Sequence, residues 1–331
     1  MLARRVRLRQ ALGTRGARVL SVRGVMSRHA DPRDLRAAFA RCEAITRREA
    51  RNFWYGIRLL PREKRLALAV VYAWMRVADD IVDAPDADAR SCADALDALE
   101  VETRAAFVRA PIVAPNATRA AIARALSAVA HRFPIRLEDF LGAIQGQRTD
   151  LARADFVDEA AVDAYCDCVA STVGRICVGI WGVVEPAKRA EALRLATLRG
   201  LALQRTNMLR DLAEDAAQGR CYFSSALLAS HGVTRESFLR DFRNRPAQEC
   251  VMSAVETARM SFVASDPLEA LLMPDSRAAS LVMSCIYREV LERIAADPRR
   301  AMRGRRVSLS FARKLWIVLS ILVRTARGAT R

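Results

Sequence analysis

P-R-E-K-R-L-A-L-A-V-V-Y-A-W-M-R-V-A-D-D-I-V-D, running from Pro61 to Asp83, ends in a different character from its middle. It opens on a proline, which suits the first turn of a helix because the missing N–H has no partner there anyway. After the charged first turn, residues 62–65, it is mostly apolar until its last turns. Then Asp79, Asp80 and Asp83 arrive together, with Arg76 one turn earlier. Asp79 and Asp83 are i and i+4, so a helix places both carboxylates on one face, about 6 Å apart along its axis. Like charges at that spacing repel. Two readings stand at this point: a solvated helix end, or a cation that offsets the repulsion. Hard oxygen donors of this kind suit Mg²⁺, which keeps waters and shares its shell with phosphates.

A second stretch repeats the pattern. Pro186 opens a helix expected to reach about Asp215, containing G-L-A-L-Q-R-T-N-M-L-R-D-L-A-E-D from Gly200. At helical spacing Gly200, Gln204, Asn207, Asp211 and Asp215 form a single stripe. Leu198, Leu201, Leu209 and Leu212 are left to face other helices. One such stripe fits an exposed face. Two acidic rails, each ending an otherwise apolar helix, point instead to carboxylate clusters that face each other across a cavity and hold metal.

Outward from these stretches, helical patterns dominate and period-two β-branched runs are scarce. Breaks fall at Pro111 and Pro115, Phe133-Pro134, Glu185-Pro186, near Gly219, and at Pro246, Pro274 and Pro298. The expected architecture is all-α: ten or more helices in one large domain over residues 29–331. The formal net charge of +17 rests on 51 Arg and three Lys spread along the chain. Scattered arginines read as solvated helix faces, with anionic lipid or anionic substrate as the alternative. Nucleic-acid binding would need clustered basic residues with interleaved aromatics, and aromatics are only 6%. Eight cysteines without a CxxC pair read as free thiols of a cytoplasmic protein. His29, His131 and His231 make no HExxH, so zinc is not expected.

Residues 1–28 hold eight Arg and no acid. They read as a disordered tail or a start placed too early, with Met26 the real one, in preference to a transit peptide. The longest apolar run, Leu315 to Val323, is too short to span a bilayer and is broken by Ser320. It follows Arg313 and Lys314 and reads either as a basic amphipathic segment lying on a membrane or as a last helix docked on the core. Oligomeric state is not legible.

Five stretches, in order, resemble the squalene/phytoene synthase family: N-F-W-Y-G-I-R-L-L-P-R-E-K-R from Asn52, Y-A-W-M-R-V-A-D-D-I-V-D from Tyr72, Y-C-D-C-V-A-S-T-V-G-R from Tyr165, Q-R-T-N-M-L-R-D-L-A-E-D-A-A-Q-G-R-C-Y-F from Gln204 and R-R-V-S-L-S-F-A-R-K-L from Arg305. The third looks closest to bacterial presqualene diphosphate synthases. The resemblance implies the isoprenoid synthase fold, helices around a central cavity. It implies Mg²⁺, or Mn²⁺ in its place, on Asp79, Asp80, Asp83, Asn207, Asp211 and Asp215. It places Asn52, Arg76, Gln204, Arg210, Arg220 and Tyr222 near substrate diphosphates and has Tyr287 facing the active site, with Asp79, Asp83, Asp211 and Tyr287 as the catalytic set. The implied reaction is head-to-head (1'-1) condensation of two prenyl diphosphates, first two farnesyl diphosphates to presqualene diphosphate, alternatively two geranylgeranyl diphosphates to phytoene.

Departures bear on the product. Asn52 stands where the family usually has Ser. Asp167 and Cys168 replace an aromatic before V-A-G, and A-D-P-R-R-A-M replaces G-Y-D-V-F. No G-x-G-x-x-G follows a strand, so NADPH is not indicated. The rival from another class is a non-catalytic relative used as an assembly factor. Such relatives tend to lose the metal carboxylates, which are all present here.

Overall fold

A computed structural model describes residues 31–83, 88–302 and 306–328. The basic segment 1–28 and the expected boundary after it lie outside them. The helices are α1 (Pro32–Glu49), α2 (Arg51–Ile57), α3 (Arg62–Val82), α4 (Ala89–Val108), α5 (Ala117–Arg132), α6 (Leu137–Leu151), α7 (Glu159–Cys166), α8 (Thr172–Trp181), α9 (Arg189–Arg210), α10 (Leu212–Ala217), α11 (Ser225–Ser230), α12 (Arg235–Arg240), α13 (Arg245–Ala264), α14 (Leu268–Leu271), α15 (Pro274–Ala296), α16 (Arg299–Met302) and α17 (Phe311–Gly328). No strand occurs among the described residues, so the all-α expectation holds.

The helices begin and end where local chemistry dictates. Asp31, Asp88, Asn116, Asp158 and Asn244 accept hydrogen bonds from first-turn amides, satisfying donors that have no partner inside the helix. Pro246 and Pro274 sit in first turns, as breaks read from proline require. Pro61 caps α3 from one residue outside it, and Pro186 opens a separate 3₁₀ turn before α9.

Two apolar cores share the chain. One packs α1, α3, α4, α5, α6 and α8 around Trp74, Phe140 and Leu126. The other packs α9, α13, α15 and α17 around Phe238, Phe262 and Ile286. Between them α7 and α8 are joined through a five-residue π turn, Asp167–Ser171. Its widened backbone is pressed between two helices. A Cβ on Gly200 would stand 2.4 Å from the Cα of Ser171, and one on Gly146 2.4 Å from the Val169 side chain. Glycine at both positions therefore lets α6 and α9 close on the turn. π turns inside helices frequently mark functional sites, and this one presents Val169 and Ala170 to a central cavity.

Candidate active site

The cavity has a volume of about 1020 Å³ and runs between α3 and α9. Its wall follows α3 from Leu68 to Asp83 and α9 from Ala196 to Asp211. Each is fifteen residue steps, about 22 Å at 1.5 Å per residue. Both helices run toward the same end, which we call the mouth, and both finish there in acid. Their C-terminal dipoles add negative potential to those carboxylates.

Asp83 caps α3, its N–H donating to the Asp79 carbonyl at 3.0 Å. Asp79 lies beside Gln147 of α6, whose Nε2 donates to Asp79 Oδ1 at 2.8 Å. Burial pushes the Asp79 carboxyl up to about 7, Arg76 opposing and Asp83, Asp80 and Asp150 adding to it. Asp80 points away: its side chain is 56% exposed and pairs with Arg76. Of the first motif, then, Asp79 and Asp83 reach the cavity and Asp80 does not.

All five residues of the expected stripe, Gly200, Gln204, Asn207, Asp211 and Asp215, line the cavity, but the helix expected to carry them unbroken to about Asp215 is interrupted. α9 stops at Arg210, Asp211 adopts φ −100° and ψ 6°, and α10 restarts at Leu212. Two arginines hold the side chain at the break. Arg210 grips Asp211 through two bonds of 2.9 and 2.6 Å, and Arg306 reaches it from the C-terminal segment at 2.7 and 2.9 Å. Asp215 still reaches the cavity from α10, and burial with Asp211 nearby pushes it up to about 7. Asn207 donates to Gln204 at 3.1 Å, while its buried Oδ1 accepts nothing.

Several groups at the mouth escaped the sequence reading. Asp150 stands between the rails, accepting from Tyr165 at 2.9 Å and from Tyr222 at 2.9 Å; the two rings stack at 5.3 Å. Burial raises its carboxyl as well. Arg153 lines the same wall with a left-handed backbone (φ 49°) that strains a non-glycine residue. Arg220 approaches Asp83 at 3.4 Å. A signal existed for Gln147 and Asp150: at i and i+3 they share one face of α6. Asn52 and Tyr287 stand off the cavity wall. Tyr287 is buried behind it, with the Arg210 guanidinium 5.9 Å from its ring and Phe53 5.5 Å away.

The far end is mainly apolar. Leu68, Val71, Cys177, Trp181, Leu268 and Met283 wall it. Lys64 ties that end together, donating to the Trp181 carbonyl, Asp275 and Ser276. Arg199 pairs there with Glu269 at 2.8 Å, and Ser265 and Ser280 complete the pair's hydrogen bonds.

The donors at the mouth fit a hard divalent cation. Asp79, Asp83, Asp211, Asp215 and the unpartnered Oδ1 of Asn207 are all oxygens, and two of the carboxyls are held protonation-prone by burial among like charges. Among the described residues no three His, Cys, Asp or Glu side chains converge on one point. The donors bracket a space instead of closing around it, an arrangement that suits an ion sharing its shell with phosphate and water.

A sequence model of the squalene/phytoene synthase family matches residues 46–313. Phytoene synthase of Mycobacterium bovis is 35% identical over 297 residues, covering 87% of this chain and 92% of that one. The chloroplastic phytoene synthase 1 of Zea mays is 32% identical over 265 residues, 80% of this chain; the chain spans 63% of the maize protein's length. Among solved structures, squalene synthase HpnC from Alicyclobacillus acidocaldarius superposes with TM-score 0.69 at 30% identity, covering 82% of this chain and 97% of that one. A dehydrosqualene synthase in complex with ligand superposes with TM-score 0.77 at 24% identity, covering 89% and 99%, a likeness of fold.

Proposed function

Because the chain belongs to the squalene/phytoene synthase family, whose members are prenyltransferases, we propose that it joins two prenyl diphosphates head to head, taking two farnesyl diphosphates to presqualene diphosphate with release of diphosphate and a proton. The observation that carries this is a long cavity, acidic at its mouth and walled beyond it mainly by apolar side chains, the ion pair at its floor, Arg199 with Glu269, being internally satisfied. It suits a molecule that is anionic at one end and hydrocarbon along the rest.

Asp79, Asp83, Asn207, Asp211 and Asp215 would hold Mg²⁺, which when bound offsets charge on the diphosphates. Arg220 and Arg306 now spend their charge on Asp83 and Asp211, and an arriving diphosphate offers them a denser anion. Gln147 and the Tyr165–Asp150–Tyr222 group position the mouth. The apolar wall keeps water from the allylic cation that forms as the carbon–oxygen bond breaks, so the double bond of the second chain is the nucleophile at hand. Loss of a proton from the joined carbons closes the cyclopropane. NADPH has no part in this step.

The stretch Y-C-D-C-V-A-S-T-V-G-R from Tyr165, which resembles bacterial presqualene diphosphate synthases, supports the shorter substrate. The 35% identity to a mycobacterial phytoene synthase favours the second reading, two geranylgeranyl diphosphates to phytoene. A cytoplasmic location goes with either. The test is incubation with Mg²⁺ and equal concentrations of the two diphosphates without NADPH, products identified by mass. Presqualene diphosphate is expected; exclusive phytoene would give the second reading its place, and no condensation product of either kind would leave the non-catalytic relative standing.

A further inference from the structure

α17 is apolar on two sides, and the protein covers only one. Ile317, Val318 and Ile321 are buried against the second core. Phe311, Leu315, Trp316, Leu319, Leu322 and Val323 are exposed, Phe311 to 68%, Trp316 to 56% and Leu319 to 54%. At 100° per residue these six fall within an arc of about 140°. A helix hydrophobic on both sides is ordinarily buried on both. Single exposed hydrophobes need no explanation, but a contiguous set on one helix marks a contact surface.

The surrounding charge says what the contact is with. Residues 298–331 hold nine Arg and Lys314 and no Asp or Glu. Arg324 is exposed on the flank of the apolar arc, and Arg313 lies beside it with its guanidinium 4.2 Å from the Trp316 ring centre. A second copy of the chain meeting this face about a twofold axis would bring basic flank against basic flank, because a twofold interface pairs a patch with itself. Arg313 is already paired with Glu289 at 2.8 Å; an anionic bilayer supplies what the apolar arc lacks and an anion for Arg324. No helix among the described residues is long and apolar enough to cross a membrane.

We propose that the outer face of α17 docks on anionic lipid, with Phe311, Trp316, Leu319 and Val323 entering the headgroup boundary and Arg324 meeting lipid phosphates. The face sits beside the catalytic cavity: α17 packs on α2, whose Phe53 and Ile57 line the cavity, and Phe311 is five residues beyond Arg306 at the mouth.

The experiment is sedimentation of the full-length protein with vesicles of phosphatidylcholine alone and of equal parts phosphatidylcholine and phosphatidylglycerol. Binding is expected to the mixed vesicles, weakening as salt rises, and to fall about tenfold or more in the Trp316→Glu/Leu319→Glu variant. Because both side chains are solvent-facing, helical circular dichroism and Tm should match the parent. Should the variant misfold, the parent gives an independent reading: brominated lipid should quench a fraction of tryptophan fluorescence that is absent in Trp316→Phe. Three results would overturn the proposal: no binding of the parent to anionic vesicles, binding unchanged in the folded double variant with no quenchable Trp316, or a solution dimer that the same substitutions dissociate.

Discussion

The mouth and the floor of the cavity both bury charge, and they treat it in opposite ways. At the floor Arg199 is 6% exposed and Glu269 8%, and every demand is met: guanidinium to carboxylate, guanidinium to Ser265, carboxylate to the Ser280 hydroxyl. At the mouth Asp79 has only an amide donor, Asn207 Oδ1 has nothing, and Asp215 sits among carboxylates. A charge buried with its partner is part of the scaffold. Charges buried without partners are costly, and persist where something that binds there compensates them.

The comparison is broken most directly by removing what the mouth awaits. EDTA in excess should abolish turnover and Mg²⁺ should restore it; product formation unchanged by the chelator would mean the mouth carboxylates serve another end. Next in size, Asp79→Ala or Asp215→Ala should each lower kcat/KM by roughly 10²–10³ while leaving helical circular dichroism unchanged. A turnover near that of the parent removes the substituted residue from the site.

The floor should answer in stability. Arg199→Met strands a buried carboxylate, and urea unfolding should report a loss of about 3 kcal/mol. Adding Glu269→Leu should restore most of it. A double variant as unstable as the single one would mean that Arg199 holds more than its ionic partner.

A smaller effect follows pH. Folding raises the Asp79 and Asp215 carboxyls from 3.8 to about 7, so the folded metal-free protein keeps protons the unfolded chain releases. Their contribution to stability is full below about pH 4 and is lost as pH climbs to about 7. The metal-free Tm should be a few degrees lower at pH 8 than at pH 5.5, and Asp79→Asn should flatten that slope. A parent whose Tm rises over this interval would contradict the burial of uncompensated acid. Smallest of all, Asp80→Ala removes an exposed ion pair with Arg76 and should change activity and stability little, less than about 1 kcal/mol in either. A loss as large as that of Asp79→Ala would show that Asp80 turns inward during the reaction.

Helical period alone made the mouth half legible. The spacing of Asp79 to Asp83, and of Asn207 to Asp211, is set within a turn of backbone, and a sequence displays it directly. The same local rule was silent about Asp80, because adjacent residues on a helix point apart and only packing says which one faces in. Gln147 and Asp150 belong to α6, and Gln147 meets Asp79 across 68 positions of sequence. Asn52 and Tyr287 were carried by resemblance; neither is among the residues that line the cavity, and Tyr287 is buried beside Phe53, which is.

By itself, then, the sequence determined an all-helical chain with two acid-ended helices, for those follow from periodicity, proline and the side chains at helix ends. Only the tertiary structure decided that both ends meet at one mouth, that α9 breaks at Asp211 where Arg306 reaches it from 95 residues away, and that Arg199 and Glu269 close the floor as a pair. The reason is that each of these depends on which distant charge is brought near. Nothing in a helix's own period records what stands opposite it.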